Sequence, residues 1–268
     1  MKPSDSSIRI LLLIPRRDFD PAQAALPWLL LKKAGFEFTF ATHEGQRAQC
    51  DQRLLTGKGL GPLAPLLMAT KEAREAYEQF IQSAEFRRPL AWTELRAEDF
   101  DGVVIPGGHG KGVRELIEST VLHRLIARFF ELNKPVGAIA QGLLLVSRAE
   151  LHGASVLRGR KTTAPRASHE KLVWHLTRLF MGDYALIYPG TTIESEIKKC
   201  LAGPIDFVEG PSPWRHENLD QHEKGFACVF GNYVSARTSK DCAAFAHSFF
   251  MRFQRTQAKD VRVFYQSL

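Results

Sequence analysis

The sequence predicts an α/β protein with an open, mostly parallel sheet covered by helices on both faces. Three observations carry this reading. Short, almost continuously apolar runs at residues 8–14, 36–41, 103–105 and 135–139 suit parallel strands buried on both sides, where the apolar/polar alternation of a half-exposed strand disappears. Segments with helical spacing and helix caps lie between them, so strand and helix alternate along the chain. Two glycine-bearing turns, Gly107-Gly108 and Ala140-Gln141-Gly142, follow strands directly, at the carboxyl ends where open parallel sheets hold ligands.

Composition narrows the class. The chain has 268 residues, 44% hydrophobic and 24% charged, enough to bury a sizeable core. It is read as a single domain over residues 1–268, with insertions at about 43–98 and 164–225. No run reaches the ~18 apolar residues of a membrane span, and no membrane partner is expected. The apolar run at 8–14 is followed by Pro15-Arg16-Arg17 and not by a small-residue cleavage site, so it reads as a core strand and not as a leader. Cys50, Cys200, Cys228 and Cys242 have no close metal-type spacing, which makes a reduced, cytoplasmic chain the expectation. The formal net charge of +7 comes from scattered basic residues. Their densest group, Arg158, Arg160 and Lys161 with Arg166 nearby, reads as solvated turns. With no helix-turn-helix, zinc-finger or aromatic-basic strand motif, nucleic acid is not expected as a partner.

The elements follow in order. Residues 8–14 form the first strand. In the segment 18–35, Asp18 and Asp20 are capping residues, Pro21 suits a first helical turn, and Gly35 stops the helix. Residues 36–41 are the second strand. From 43 to 98 the alternation lapses into a loop at 57–63, a polar helix at 68–83 and an apolar stretch at 86–92, an insertion of the kind that covers a site. The core resumes with the strand 103–105, helices near 113–118 and 121–132, and the strand 135–139. At Ala140 a sharp turn lifts one side chain over the sheet before a helix begins. Residues 155–163 predict a hairpin around Gly159. Residues 170–179 predict a helix with Leu172, Trp174, Leu176 and Leu179 partly buried, and 193–201 another. Residues 204–224 read as an irregular polar excursion. Strands at 226–230 and 233–237 around Gly231-Asn232 precede a helix at 240–253, and 261–265 reads as a late edge strand.

The pairing of V-V-I-P-G-G-H at 103–109 with K-P-V-G-A-I-A-Q-G at 134–142 resembles the ThiJ/PfpI family of the class I glutamine amidotransferase-like superfamily. That family includes the Parkinsonism-associated deglycase, glutathione-independent glyoxalases and intracellular proteases. The opening F-D-P-A-Q-A-A-L-P-W and the closing F-G-N-Y-V-S-A-R-T-S-K-D-C-A-A-F-A resemble it as well. The resemblance implies a flavodoxin-like three-layer sandwich with helical cap insertions, and a homodimer.

For the chemistry, the resemblance implies a vacated site. Members usually carry a nucleophilic Cys at the elbow, often a His after it, and a Glu four residues before the Pro of the opening segment. These positions hold Ala140, Gln141 and Gln23. Alanine has no atom that attacks a carbonyl and glutamine does not titrate, so no intact catalytic residue is expected here. In hydrolase triads, loss of the nucleophile costs about 10⁶ in kcat. The residues expected to line a ligand site are Gln23, Gly107, Gly108, His109, Ala140, Gln141 and Gly142. Within this group, the backbone N–H groups of Gly108 and Gln141 are expected to form an anion or carbonyl-oxygen pocket with His109 at its rim.

Other chemistry-bearing residues read as follows. His169, Glu170 and His175 share one helical neighbourhood, but an i, i+6 pair is poorly co-facial for chelation, and neither metal nor cofactor is expected. His43 lies past the second strand in a polar loop, and His216, His222 and Glu223 lie in the late polar excursion. Cys50, among Gln46, Arg47, Gln49 and Asp51, is the candidate for a displaced nucleophile, since a nearby arginine lowers a thiol pKa. Cys228 and Cys242 read as packed core thiols. The expectation is a pseudoenzyme that binds a small carbonyl or carboxylate metabolite, or a protein partner. One alternative is a hydrolase or glyoxalase/deglycase-type enzyme working through Cys50 or His109. Another is a holdase chaperone using the apolar stretch 86–92.

Overall fold

Leu11 and Leu13 pack on one face of the first strand while Ile10 and Leu12 pack on the other, and all four are fully buried. This two-sided burial is why the run is continuously apolar. The computed structural model describes residues 7–211 and 225–254. Its main sheet contains β1 (Arg9–Leu13), β2 (Glu37–Thr42), β3 (Leu90–Ala91), β4 (Gly102–Ile105), β5 (Val136–Ile139), β6 (Ala227–Phe230) and β7 (Tyr233–Ala236). Their spatial order is β6-β7-β5-β4-β1-β2-β3. Neighbours run parallel, with Ile10 level with both Phe38 and Gly102, except for the antiparallel β6–β7 hairpin. The chain therefore builds outward from β1 to β3, then restarts at β4 on the other side of β1. The switch point between β1 and β4 opens a crevice at the carboxyl ends of the strands.

Helices α1 (Pro21–Lys33), α2 (Lys71–Gln82), α3 (Thr120–Glu131), α4 (Gly142–Arg148), α5 (Ala167–Met181), α6 (Ile193–Cys200) and α7 (Cys242–Phe250) complete the layers. The core on one face is built from α1, α2 and α7, and the core on the other from α3, α4 and α6. The alternation predicts the mostly parallel sheet with helices on both faces, and the architecture is the flavodoxin-like three-layer α/β sandwich that the family resemblance implies. α1 is buried almost all round, as expected of a helix between a sheet and a covering layer. It tolerates Pro27 in its interior, where the absent N–H leaves the Gln23 carbonyl without its usual donor.

Four expectations need correction. Arg17–Phe19 is a short strand paired with Gln49–Cys50, and Asp18 sits at φ 68°, so the helix begins only at Pro21 with Asp20 alone as its cap. The hairpin comes before residue 155: Glu150–Leu151 pairs with Ala154–Ser155 across His152 and Gly153, both at positive φ, as a tight hairpin turn requires. Gly159, at φ 73°, belongs to a separate turn. Leu172, Leu176 and Leu179 are exposed, by 44%, 54% and 92%, because α5 contributes nothing to either core. Phe86 and Trp92 are buried, the former against Phe40 and Phe80, so this stretch closes the sheet edge. The expectations for the strand at 261–265, and for His216, His222 and Glu223, lie outside the described residues.

Candidate functional site

The site is built on three strand ends. β5 delivers Ile139 into the elbow, where Ala140 takes φ 49°, a left-handed conformation that costs a non-glycine residue roughly 1–2 kcal/mol. The surroundings enforce it. Ala140 N–H donates to the Ala236 carbonyl on β7 (3.0 Å), and the Ala140 carbonyl accepts from Leu143 N–H (3.1 Å). Behind the turn, α4 begins so close to β4 that a Cβ on Gly142 would lie 2.4 Å from the Ile105 carbonyl oxygen. The geometry that presents a nucleophile is kept, and it presents a methyl group.

Around that methyl group the polar groups satisfy one another. Asp20 caps α1, accepting from Ala22 N–H (2.8 Å) and Gln23 N–H (3.1 Å) through Oδ1. Its Oδ2 accepts from Gln23 Nε2 (3.0 Å), and its own N–H donates to the Gly107 carbonyl (2.9 Å). Gln23 Oε1 accepts the Gly107 N–H (2.9 Å) and Gln141 Oε1 accepts the Gly108 N–H (3.1 Å). Both glycines are required by this close approach: an added Cβ would lie 2.6 Å from Gln141 Oε1 at Gly107 and 2.1 Å from the Asp18 carbonyl oxygen at Gly108. The expected two-donor pocket is thereby corrected. The Gly108 N–H is consumed by a side-chain carbonyl, and of the pair only the Gln141 backbone N–H keeps no acceptor among the described residues.

A cavity of about 160 Å³ opens above the elbow, with Asp20, Gln23, Ala140 and Gln141 at its base and His109, His169, Glu170, Arg237 and Lys240 around it. Leu66 and Leu67 of the first insertion, Pro165, Val173 and Ala185 of the second, and Thr238 and Ser239 beside Lys240 complete the lining. His109 is half-buried. Its ring stacks on Tyr184 at 5.9 Å, and its Nδ1 is buried with no partner among the described residues. Tyr184 in turn donates to Asp51 Oδ2 (2.5 Å). Gly107, Gly108 and Gly142 form the backbone frame below the cavity.

The electrostatics differ from group to group. Burial pushes the Asp20 carboxyl up, against the opposing pull of His109 and the cap hydrogen bonds. Burial, reinforced by Glu194, pushes Glu170 up to about 8, although its carboxyl accepts the Ile193 N–H (2.9 Å), so burial favours its neutral form. Burial, with Arg166 and Arg237 nearby, lowers His169. Burial also lowers Lys240, against the pull of Asp241. Arg237 is neutralised by a two-pronged pair with Asp241, Nε to Oδ2 and Nη2 to Oδ1, both 2.9 Å.

The remaining candidates lie elsewhere. Cys50 is buried in the α1/α2 core, and burial pushes its thiol up to about 11 while a hydrogen bond from Tyr77 opposes this. The expectation of an exposed thiol lowered by arginine is overturned, because the local strand pairing turns Cys50 inward. It borders a separate cleft with Arg17 and Arg53. His43 pairs with Glu115 (3.0 Å). His175 is exposed on α5, whereas His169 lines the cavity, so the two do not converge. Sequence reasoning missed Lys240 and Arg237 as wall residues and treated Glu170 only as a chelation neighbour. All three reach the cavity through tertiary packing, and no local motif announces that.

Comparison with known proteins places this geometry. A family model described as ThiJ/PfpI family-like matches residues 14–195. An uncharacterized protein of Schizosaccharomyces pombe is 32% identical over 167 residues, 59% of this chain and 60% of that protein. A deglycase of Thermococcus kodakarensis is 37% identical over 109 residues, 37% of this chain and 61% of that protein. The chain thus spans about 60% of the length of these two relatives. Glyoxalase III from Candida albicans superposes with a TM-score of 0.69 at 15% identity, covering 93% of this chain and 98% of that one. Drosophila melanogaster DJ-1beta gives 0.56 at 13%, covering 97% of each. No described helix is long and apolar enough to cross a membrane. The match over residues 14–195, more than half of the chain, shows that the chain belongs to the ThiJ/PfpI-like family.

Proposed function

We propose that this protein is a pseudoenzyme of its family, one that binds a small carbonyl or carboxylate metabolite in the elbow cavity without cysteine-dependent catalysis. The observation that carries this reading is the closed glutamine network: the side-chain carbonyls of Gln23 and Gln141 occupy the Gly107 and Gly108 N–H groups beside a methyl group at Ala140. A donor already bonded to a fixed amide cannot follow charge developing on a substrate oxygen, and losing one such donor costs on the order of 10²–10³ in rate. The cavity's polar groups support the ligand class. Arg237 is paired with Asp241, burial disfavours the charged form of Glu170, Lys240 lines the cavity with its basicity lowered by burial, and His109 Nδ1 awaits a hydrogen-bond partner.

The test compares glyoxal and methylglyoxal consumption by the native chain with that by Gln23→Glu/Ala140→Cys/Gln141→His. Turnover by the variant alone supports a competent scaffold that has left this chemistry. Turnover by the native chain overturns the reading. The enzyme alternative loses support at Cys50, whose thiol is buried and protonated, and retains only His109. The holdase alternative loses the surface it relied on, since Phe86 and Trp92 are buried. A protein-partner reading rests on a different surface: Leu172, Leu176, Leu179 and Phe180 form one exposed apolar stripe along α5. Sedimentation analysis of the native chain beside Leu176→Glu/Leu179→Glu tests whether that stripe joins two copies of the chain. A reactive-cysteine role, a metal and a cofactor have no part in the reading. A reduced, cytoplasmic setting is the one in which its unpaired thiols are at home.

A further inference from the structure

Lys240 is set apart from the other cations around the elbow. It lies half-buried in the turn before α7 and lines the same cavity as Ala140 and Gln141. Among the described residues its Nζ takes part in no ion pair or hydrogen bond, although lysines on the open surface do, as Lys198 does with Glu194 and Lys32 with Glu85. The one carboxylate beside it in sequence, Asp241, is fully engaged. Its Oδ1 accepts from Arg237 Nη2 and Phe226 N–H, and its Oδ2 from Arg237 Nε and N–H. Arg237, on the same cavity wall, is paired with Asp241. Glu170 also lines the cavity, where burial disfavours its charged form and its carboxyl accepts the Ile193 N–H. His169 has its basicity lowered by burial and by two arginines.

Lys240 Nζ has no hydrogen-bonded carboxylate among the described residues, and its half-buried setting in the cavity, against the pull of Asp241, favours the amine form of lysine, the form that attacks carbonyl carbons. We infer that Lys240 Nζ captures the carbonyl group of a small aldehyde or 2-oxo compound as a reversible imine, in the cavity that Lys240 lines together with Ala140. This rests on the carbonyl-ligand reading above and adds the group that does the holding. The nitrogen lone pair forms a bond to the carbonyl carbon while the C=O π pair moves to oxygen. A proton passes from nitrogen to that oxygen, giving a carbinolamine. The carbinolamine then loses its hydroxyl as water, and the C=N bond forms. The sum is amine plus carbonyl giving imine plus one water, with no redox change and no cofactor. The backbone N–H of Lys240 donates to Thr238 Oγ1 (3.3 Å), which fixes the main chain of the turn that carries the lysine. A carbonyl compound bound here needs no cysteine, consistent with the loss of the elbow nucleophile.

The experiment treats the full chain at pH 7.5 with methylglyoxal, or with glyoxylate, and sodium cyanoborohydride, and maps the reduced adduct by peptide mass spectrometry. Binding of the same compounds without reductant is followed in parallel by ligand-observed NMR. The expected result is one dominant adduct at Lys240, formed at least about tenfold faster than at the exposed Lys71, because the cavity holds the reactants together. Lys240→Met is expected to lose that adduct while keeping the native circular dichroism. Lys240→Arg, which retains charge and bulk, is expected to lose it equally. Binding with no preference for Lys240 overturns the imine and leaves the ligand reading standing. Absence of binding overturns both.

Discussion

Replacing Gln23 by glutamate puts a carboxyl group where the structure holds a neutral amide, and the energetic consequence follows from its partners. Gln23 is buried, donates through Nε2 to Asp20 Oδ2 and accepts the Gly107 N–H. The introduced carboxyl, when protonated, reproduces both bonds, donating through its O–H to Asp20 and accepting at the other oxygen. When ionised, it faces the buried Asp20 carboxylate at contact distance, and two such carboxyls hold one proton between them. The folded Gln23→Glu variant therefore keeps the new carboxyl protonated, whereas the unfolded chain releases that proton with a pKa of about 4.3. The folded-state pKa is raised, so stability is unaffected below the unfolded pKa and falls as pH rises toward the folded one. The cost at pH 7 is up to about 3.7 kcal/mol, from roughly 2.7 pH units at 1.36 kcal/mol each. At pH 5 it shrinks to about 1 kcal/mol. Urea unfolding of native and variant chains at both pH values measures the difference. An equal loss of stability at pH 5 and pH 7 refutes the reasoning by showing that the effect is steric. A loss under about 1 kcal/mol at pH 7 refutes it by showing that the introduced carboxyl ionises in place.

Three further outcomes follow from the same structure. Asp241→Asn strips the counter-charge from buried Arg237 and is expected to destabilise by about 3–5 kcal/mol, read from the urea midpoint. Cys50, with its thiol pushed up to about 11, is expected to resist iodoacetamide in the folded chain at pH 8 and to react on unfolding, as followed by mass spectrometry. Glu170, raised to about 8 by burial, binds a proton in the folded state that the unfolded state has lost, so it lowers stability as pH rises from about 4.3 toward 8. Glu170→Gln keeps an acceptor for the Ile193 N–H and is expected to flatten that part of the stability profile; an unchanged slope would show that Glu170 ionises normally.

The parallel sheet, the elbow and the alanine at its tip are legible in the sequence. Buried parallel strands demand continuous apolar runs, Gly107, Gly108 and Gly142 are demanded by backbone approach, and Ala140 is read directly from the residue order. Their placement at one crevice also follows, since the chain restarts at β4 beside β1 and both turns fall at carboxyl ends. What tertiary packing alone decides is where side chains of unremarkable segments end up. Cys50, flanked by polar residues, becomes a core thiol because its two-residue strand pairs with Arg17–Phe19. Leu172, Leu176 and Leu179 have the spacing of a buried face and yet face outward, because among the described residues no element buries that side of α5. Gln141 spends its side chain on Gly108 N–H, which closes the pocket that backbone geometry predicts. Lys240 comes to the elbow from a turn a hundred residues on, because β7 lies beside β5 in the sheet. Backbone conformation is written into local residue types, whereas the contents of a cavity depend on which distant walls meet around it.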